Sequence, residues 1–465
     1  MDLAIVACYM IITIIVGFIA GRKVKTMSDF AIASKKFPTS VLVASIFTTE
    51  MGADDLLGVS ERIYSVGLIF FVVQCAQTIS LLMHAYIIAP KIIRDFYDKI
   101  SIGEIVGTLY GRVGQIICGI ASMLFYIGYV SVQISAIGCV CSLFLGIPHF
   151  YGTWIGSLVV VLYSSFGGVR SIVFTDMLHF TILMIGIPLF ASVALDKVGG
   201  WNYLASHLPS EHLNFGSSHE LFWIHVVFLI VYAFPFFSPV LTQRILLANS
   251  ERQAANSLII SGILYIPFYA VIAIIAFCAV VLFPGIDPND AFLDVLDYSL
   301  PPVIKGLAIS GVLAVIMSTA DSFLNVAAIA AARDVFGVVW PNKLNDKTEL
   351  RISQIVTVIF GLSSIYIATM FHSMIDFWLY FSNFWAPTVI APMILYMFNF
   401  KTDTQTYLYS LCIGMISVIV YRYSVPEEFT IISQLVGMAV TLACMISFGR
   451  CFSTISRVKI KHAYA

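Results

Sequence analysis

The chain runs to 465 residues, of which 60% are hydrophobic and 11% charged, and its formal net charge is −1. With a mean hydropathy of +0.95, this composition excludes a soluble globular domain and predicts an all-α polytopic membrane protein in contact with the lipid bilayer, while the near-neutral charge excludes nucleic acid as a partner. Nine cysteines are scattered through apolar runs without CxxC or His/Cys ligand spacing, so neither a disulfide framework nor a thiolate metal centre is expected.

A spanning helix needs roughly 20 mostly apolar residues. On that ruler the chain holds about thirteen, near 2–20, 38–65, 68–91, 113–145, 150–168, 172–195, 220–246, 254–284, 301–335, 350–371, 374–399, 405–423 and 430–449. The first lacks a small-residue cleavage motif and is followed by Arg22, Lys23 and Lys25, which predicts a retained helix rather than a signal peptide. Basic residues accumulate in cytoplasmic loops, and 21 of the 25 lysines and arginines fall in alternate loops, Arg170, Arg244 and Arg252 among them, if the N-terminus is outside. The expectation is therefore an integral plasma (inner) membrane protein with its N-terminus outside and its C-terminus cytoplasmic.

Intramembrane carboxylates are costly and mark function by default. The second span reads TTEMGADDLLG from Thr48 to Gly58 and carries Glu50, Asp54 and Asp55 around Gly52. A helix interrupted there would free backbone carbonyls for a cation while its half-helix ends face a substrate. The seventh span has a matching irregularity, YAFPFFSPVLTQR from Tyr232 to Arg244, with prolines at 235 and 239 that kink or break a helix. The two interruptions lie five spans apart, a pointer to an inverted repeat.

The ninth span contains AVIMSTADSFLN, Ala314 to Asn325. Val315, Ser318, Thr319 and Ser322 follow i, i+3, i+4 and i+7 along one helical stripe. Two adjacent hydroxyls with carbonyls from a broken helix suit a hard cation such as Na⁺; the alternative is that the hydroxyls bond back to their own helix or join neighbouring helices. His84, His179, His225 and His372 form no HxxxH or HExxH pairing, which speaks against a metal-dependent membrane enzyme.

These residues carry a resemblance. MSTADSFLN (317–325) resembles the sodium-site helix motif of the sodium:solute symporter family, and YSSFGGVRSIVFTDMLHF (163–180), TQRILLANSERQA (242–254) and APTVIAPMIL (386–395) are similar to further family motifs in the family's order, with SIGEIVGTLYGR (101–112) a weaker match. The resemblance implies about 13 transmembrane helices around a five-plus-five inverted-repeat, leucine-transporter-type core at 38–399 (repeats 38–195 and 220–399), preceded by a first helix and inner loop at 1–37 and followed by two extra helices and a cytoplasmic tail at 400–465.

It also implies a sodium site made by the hydroxyls of Ser318 and Thr319 with main-chain carbonyls of Thr48, Met51 and Val315. Asp176 would serve sodium passage, or pair with nearby Arg170, and Asp176, Asp321 and Ser322 would form a second sodium site or release path. Glu50, Gly52, Asp54, Asp55 and Ser238 are the expected solute-binding residues. His179 stands where the family has glutamine, and Ser238 and Pro239 replace an asparagine-glutamine pair typical of sugar transporters. The function implied is sodium-coupled import of a small organic solute by a monomer working through alternating access, and the cluster of Glu50, Asp54 and Asp55, with no basic residue near it except Arg62, favours an amino acid or related amine. The rivals are proton coupling on the same fold and a transporter-like nutrient sensor.

Overall fold

A computed structural model of the chain describes residues 1–214, 219–341, 345–370, 383–425 and 432–463. Among these residues every regular element is helical. Eight helices among them are long and apolar enough to cross a membrane. The beginning of the expected 374–399 span, and His372 before it, lie outside the described residues.

Apolar belts decide which helices are central. The helix Ile304–Ile329 has nearly all its side chains buried and packs most heavily on His149–Val198 and Ile102–Leu145. The helix Asp2–Gly21 lies at the periphery, with Ile11, Ile12, Ile15 and Ile19 exposed, as a lipid-facing surface requires.

The segment His149–Val198 runs for 50 residues, which as one helix would reach about 75 Å, more than twice the roughly 30 Å hydrocarbon core. It is a hairpin. Gly168 leaves helical geometry at φ 50°, ψ −147°, a backbone position that suits glycine. A Cβ on Gly156, Gly17 or Gly21 would meet Met10, Tyr163 or Gly167 respectively, so the N-terminal helix runs parallel to the first arm. Ser171 bonds Gly17 O and His179 bonds Tyr9, so the same helix runs antiparallel to the second arm. The expected spans 150–168 and 172–195 correspond to these two arms. Likewise Gly111, at φ 74°, separates a short helix beginning at Ile102 from the long one that ends at Leu145.

Two helices are interrupted in mid-course. Thr39–Glu50 ends at Met51, which is extended at φ −98°, ψ 104°, and the chain resumes as a wide turn over Asp54–Gly58 and then Val59–Val66. His219–Ala233 gives way to irregular chain before Pro239–Leu246. Pro239 occupies the first helical turn, where it lacks no needed N–H, and Ser238 caps that turn by accepting from Leu241 N at 3.0 Å.

Candidate functional site

The first break is made by side chains that take over backbone donors. In an unbroken helix Gly52 N and Ala53 N would bond the carbonyls of Thr48 and Thr49. Here Gly52 N donates to Asp55 Oδ2 at 3.2 Å and Ala53 N to Gln133 Oε1 at 3.0 Å. The Thr48 and Thr49 carbonyls are thereby released into the core. A Cβ on Gly52 would lie 2.3 Å from Asp54 Oδ1, so a side chain there would push the Asp54 carboxylate from its place.

The freed carbonyls meet the hydroxyl stripe of the Ile304–Ile329 helix. Ser318 Oγ lies 2.9 Å from Thr48 O and 3.0 Å from Val315 O. Thr319 Oγ1 lies 2.7 Å from Met51 O, 3.1 Å from Val315 O, 3.4 Å from Thr49 O and 3.5 Å from Thr48 O. All five residues expected to form the cation site converge, and Thr49 joins them. Ser318 and Thr319 are buried. Two hydroxyls carry two protons, yet four carbonyl oxygens crowd around them, an excess of lone pairs that a hard cation would satisfy. No cluster of His, Cys, Asp or Glu suited to a metal ion occurs among the described residues, so an ion here would be held by neutral oxygens.

One turn further along the same helix lies a fully buried ionic network. Asp176 Oδ2 accepts from Ser45 Oγ at 2.5 Å and from the Arg244 guanidinium at 3.4 Å. The same Arg244 nitrogen donates to Ser322 Oγ at 2.6 Å and Thr49 Oγ1 at 2.9 Å. Ser322 donates to Asp321 Oδ1 at 3.1 Å, and Tyr163 donates to Asp321 Oδ2 at 2.5 Å. Two expectations are corrected here. Arg244 is no loop residue but a buried member of the core at 1% exposure, and it, rather than Arg170, pairs with Asp176. The cause is the second break, which turns the half-helix Pro239–Leu246 back into the protein. His179 accepts from or donates to Tyr9 OH at 2.8 Å.

The three carboxylates at the first break divide. Asp55 is buried and faces Gln74 Nε2 at 2.8 Å and Tyr269 OH at 2.9 Å; it stands in the first turn of the second half-helix, where negative charge is favoured. Asp54 is exposed and accepts from Tyr129 OH at 2.6 Å. Among the described residues Glu50 has one long hydrogen bond, from Ser238 Oγ at 3.5 Å, and this contact joins the two broken helices. Tyr129 also packs on Phe323, with ring centroids 4.7 Å apart. Among the described residues no lysine or arginine forms an ion pair with Glu50, Asp54 or Asp55. Reading by sequence missed Gln74, Gln133, Tyr129 and Tyr269. Their signal was a set of polar side chains inside apolar runs.

A membrane-embedded, all-helical bundle whose central helices break around convergent oxygens and carboxylates has the organisation of a secondary transporter. Comparison makes the class specific. The model of the sodium:solute symporter family matches residues 30–414, and the chain belongs to that family. A sodium/proline symporter of Staphylococcus aureus (strain JH9) is 21% identical over 381 residues, 78% of this chain and 74% of the relative. The structure of a Na⁺-coupled sialic acid symporter, in a substrate-bound outward-open state, superposes with a TM-score of 0.85 at 17% identity, covering 95% of this chain and 96% of that one. A nucleobase-cation-symport-1 family transporter with bromovinylhydantoin bound gives 0.58 at 13% identity, covering 92% and 95%. The protein is thus a sodium-coupled solute symporter rather than an enzyme, and sodium is its coupling ion.

Proposed function

We propose that this symporter carries an amino acid or a related amine, with sodium seated among the carbonyls of Thr48, Met51 and Val315 and the hydroxyls of Ser318 and Thr319. The observation that supports the ion's seat is the surplus of carbonyl lone pairs over hydroxyl protons at the first break. For the solute, the support is the pair Glu50 and Asp54, with which no lysine or arginine forms an ion pair among the described residues. A positive group on the solute would offset the cost of carboxylates at that depth. Gly52 lies at the break beside Asp54 and Gln133, Ser238 approaches from the second break, and Tyr129 and Phe323 provide an apolar wall. Asp55 acts through the break itself.

Coupling follows by linkage. Sodium ties the broken helix to the Ile304–Ile329 helix, and the solute would contact Glu50 and Asp54 on either side of that break, so each ligand favours the arrangement the other needs. Such coupling is typically worth about 1–3 kcal/mol. Asp176, Asp321 and Ser322 form the proposed sodium release path. A sodium ion there would displace Arg244 from Ser322 and Thr49, which suits a position visited in passage better than one held alongside the first ion.

The proposed topology has thirteen spans, N-terminus outside and C-terminus cytoplasmic, in the plasma membrane, with five-plus-five inverted repeats at 38–195 and 220–399 and a monomer as the working unit. In support, the eight long apolar helices become nine once the His149–Val198 hairpin is resolved. The two broken helices, the Ala391–Met397 region and Ser433–Ala463 bring the number to thirteen. Sodium-driven uptake into proteoliposomes, competed by a panel of cations, zwitterions and anions, tests the solute class. Competition by amino compounds is expected; competition by monocarboxylates alone would end the proposal.

A further inference from the structure

Beyond the network of Asp176 and Arg244, the central helix continues through a wide turn, Ala330–Phe336, to Asp334. This residue lies about 22 Å along the helix from Thr319, taking 1.5 Å per residue. It is fully buried at 0% exposure. Its Oδ1 accepts from Ser101 Oγ at 2.6 Å and Gln115 Nε2 at 3.1 Å, whereas Oδ2 has no hydrogen-bond partner. Asp334 also lines a small cavity together with Ser101, Ser122, Pro239 and Gln243.

The side-chain chemistry of that cavity is one-sided. The Ser101 hydroxyl spends its proton on Asp334 and the Ser122 hydroxyl spends its own on Cys118 O. The Gln243 amide donates to Ala31 O and Asn325 Oδ1. Each polar side chain lining the cavity therefore offers lone pairs and no free proton. Nearby charge points the same way. Arg333 is shared between Glu104 at 2.8 Å and Glu349 at 3.1 Å, which leaves three carboxylates around one guanidinium. A buried, half-unsatisfied carboxylate in such a wall is neutralised by a proton or by a bound cation, and the lone pairs that converge on this cavity suit the cation.

We infer that Asp334, with Ser122 and Gln243, forms a second, independent binding site for an alkali-metal cation. Its ligands are a carboxylate oxygen, a hydroxyl and an amide carbonyl, the hard donors such an ion takes. Gln243 joins this cavity to the transport core, because it bonds Asn325 on the central helix and accepts from Arg244 at 3.1 Å. Given the proposed orientation, the site lies on the cytoplasmic side, where occupancy would hold Gln243 and the half-helix Pro239–Leu246 in the arrangement described here. Cytoplasmic cation would thereby slow the step that releases sodium inward.

The test is equilibrium binding of ²²Na⁺ to the purified full-length protein. Wild type should show two classes of bound ion, and Ser318→Ala/Thr319→Ala should retain one of them. Adding Asp334→Asn to that pair should abolish the remainder, with excess K⁺ competing for it. Asp334→Asn alone should lose the second class and keep the first, which separates this inference from the assignment of the helix-break site. Ser122→Ala, which keeps the carboxylate and its two donors, should weaken the second class about tenfold, so the outcome does not hang on the folding of the Asp334 variant. A single class in wild type, or a second class indifferent to both Asp334→Asn and Ser122→Ala, would overturn the inference.

Discussion

Asp176 shows what a single residue's partner changes. Paired with a loop arginine at the surface, its carboxylate would contribute little. Paired with Arg244 at 0% side-chain exposure for both partners, it becomes one half of a buried ion pair, and removing one partner strands the other at a cost of about 3–5 kcal/mol. Asp176→Asn should therefore lower the thermal unfolding midpoint of the purified protein, and Arg244→Gln added to it should recover much of the loss. A double variant no more stable than Asp176→Asn would refute the pairing. The five oxygen donors at the first break were readable because a hydroxyl stripe and a family motif coincide there. Arg244 was not, because an arginine ending a half-helix that folds inward has the same local sequence as one entering a loop. The division of labour between Asp54 and Asp55 was also hidden, since the wide turn at Asp54–Gly58 shifts the angular register that a 3.6-residue period assumes.

At the scale of elements, the sequence told where helices stop more reliably than how they are joined. Proline at 235 and 239 and the acidic run around Gly52 both coincide with interruptions. The fold-back at Gly168 was visible only as a gap between two apolar runs. Its φ of 50°, with Phe30 atoms 2.5 Å from where a Cβ would stand, gives a direct prediction. Gly168→Ala should destabilise the protein by at least about 1–2 kcal/mol through left-handed strain alone, read as a lower unfolding midpoint, and an unchanged midpoint would count against the hairpin. A second contact joins distant elements: Asp2 Oδ1 accepts from Val303 N at 2.7 Å and Gly306 N at 3.2 Å, capping the central helix from the first one. Asp2→Ala should cost about 0.5–2 kcal/mol, whereas Asp2→Asn should keep most of the cap.

For the whole molecule, orientation and coupling carry the account. In a cysteine-free background, Lys23→Cys should resist an impermeant thiol reagent in intact cells while Ser206→Cys reacts, and the reverse pattern would invert the topology. The central claim is that sodium bound between the broken helix and the hydroxyl pair drives solute entry. It is tested most directly by amino-acid uptake into proteoliposomes as a function of sodium concentration, for wild type and Ser318→Ala/Thr319→Ala matched for protein content. The account predicts saturable sodium activation in wild type, shifted at least about tenfold to higher sodium in the double variant, a loss of about 1.4 kcal/mol. Identical sodium activation curves for the two proteins would contradict it.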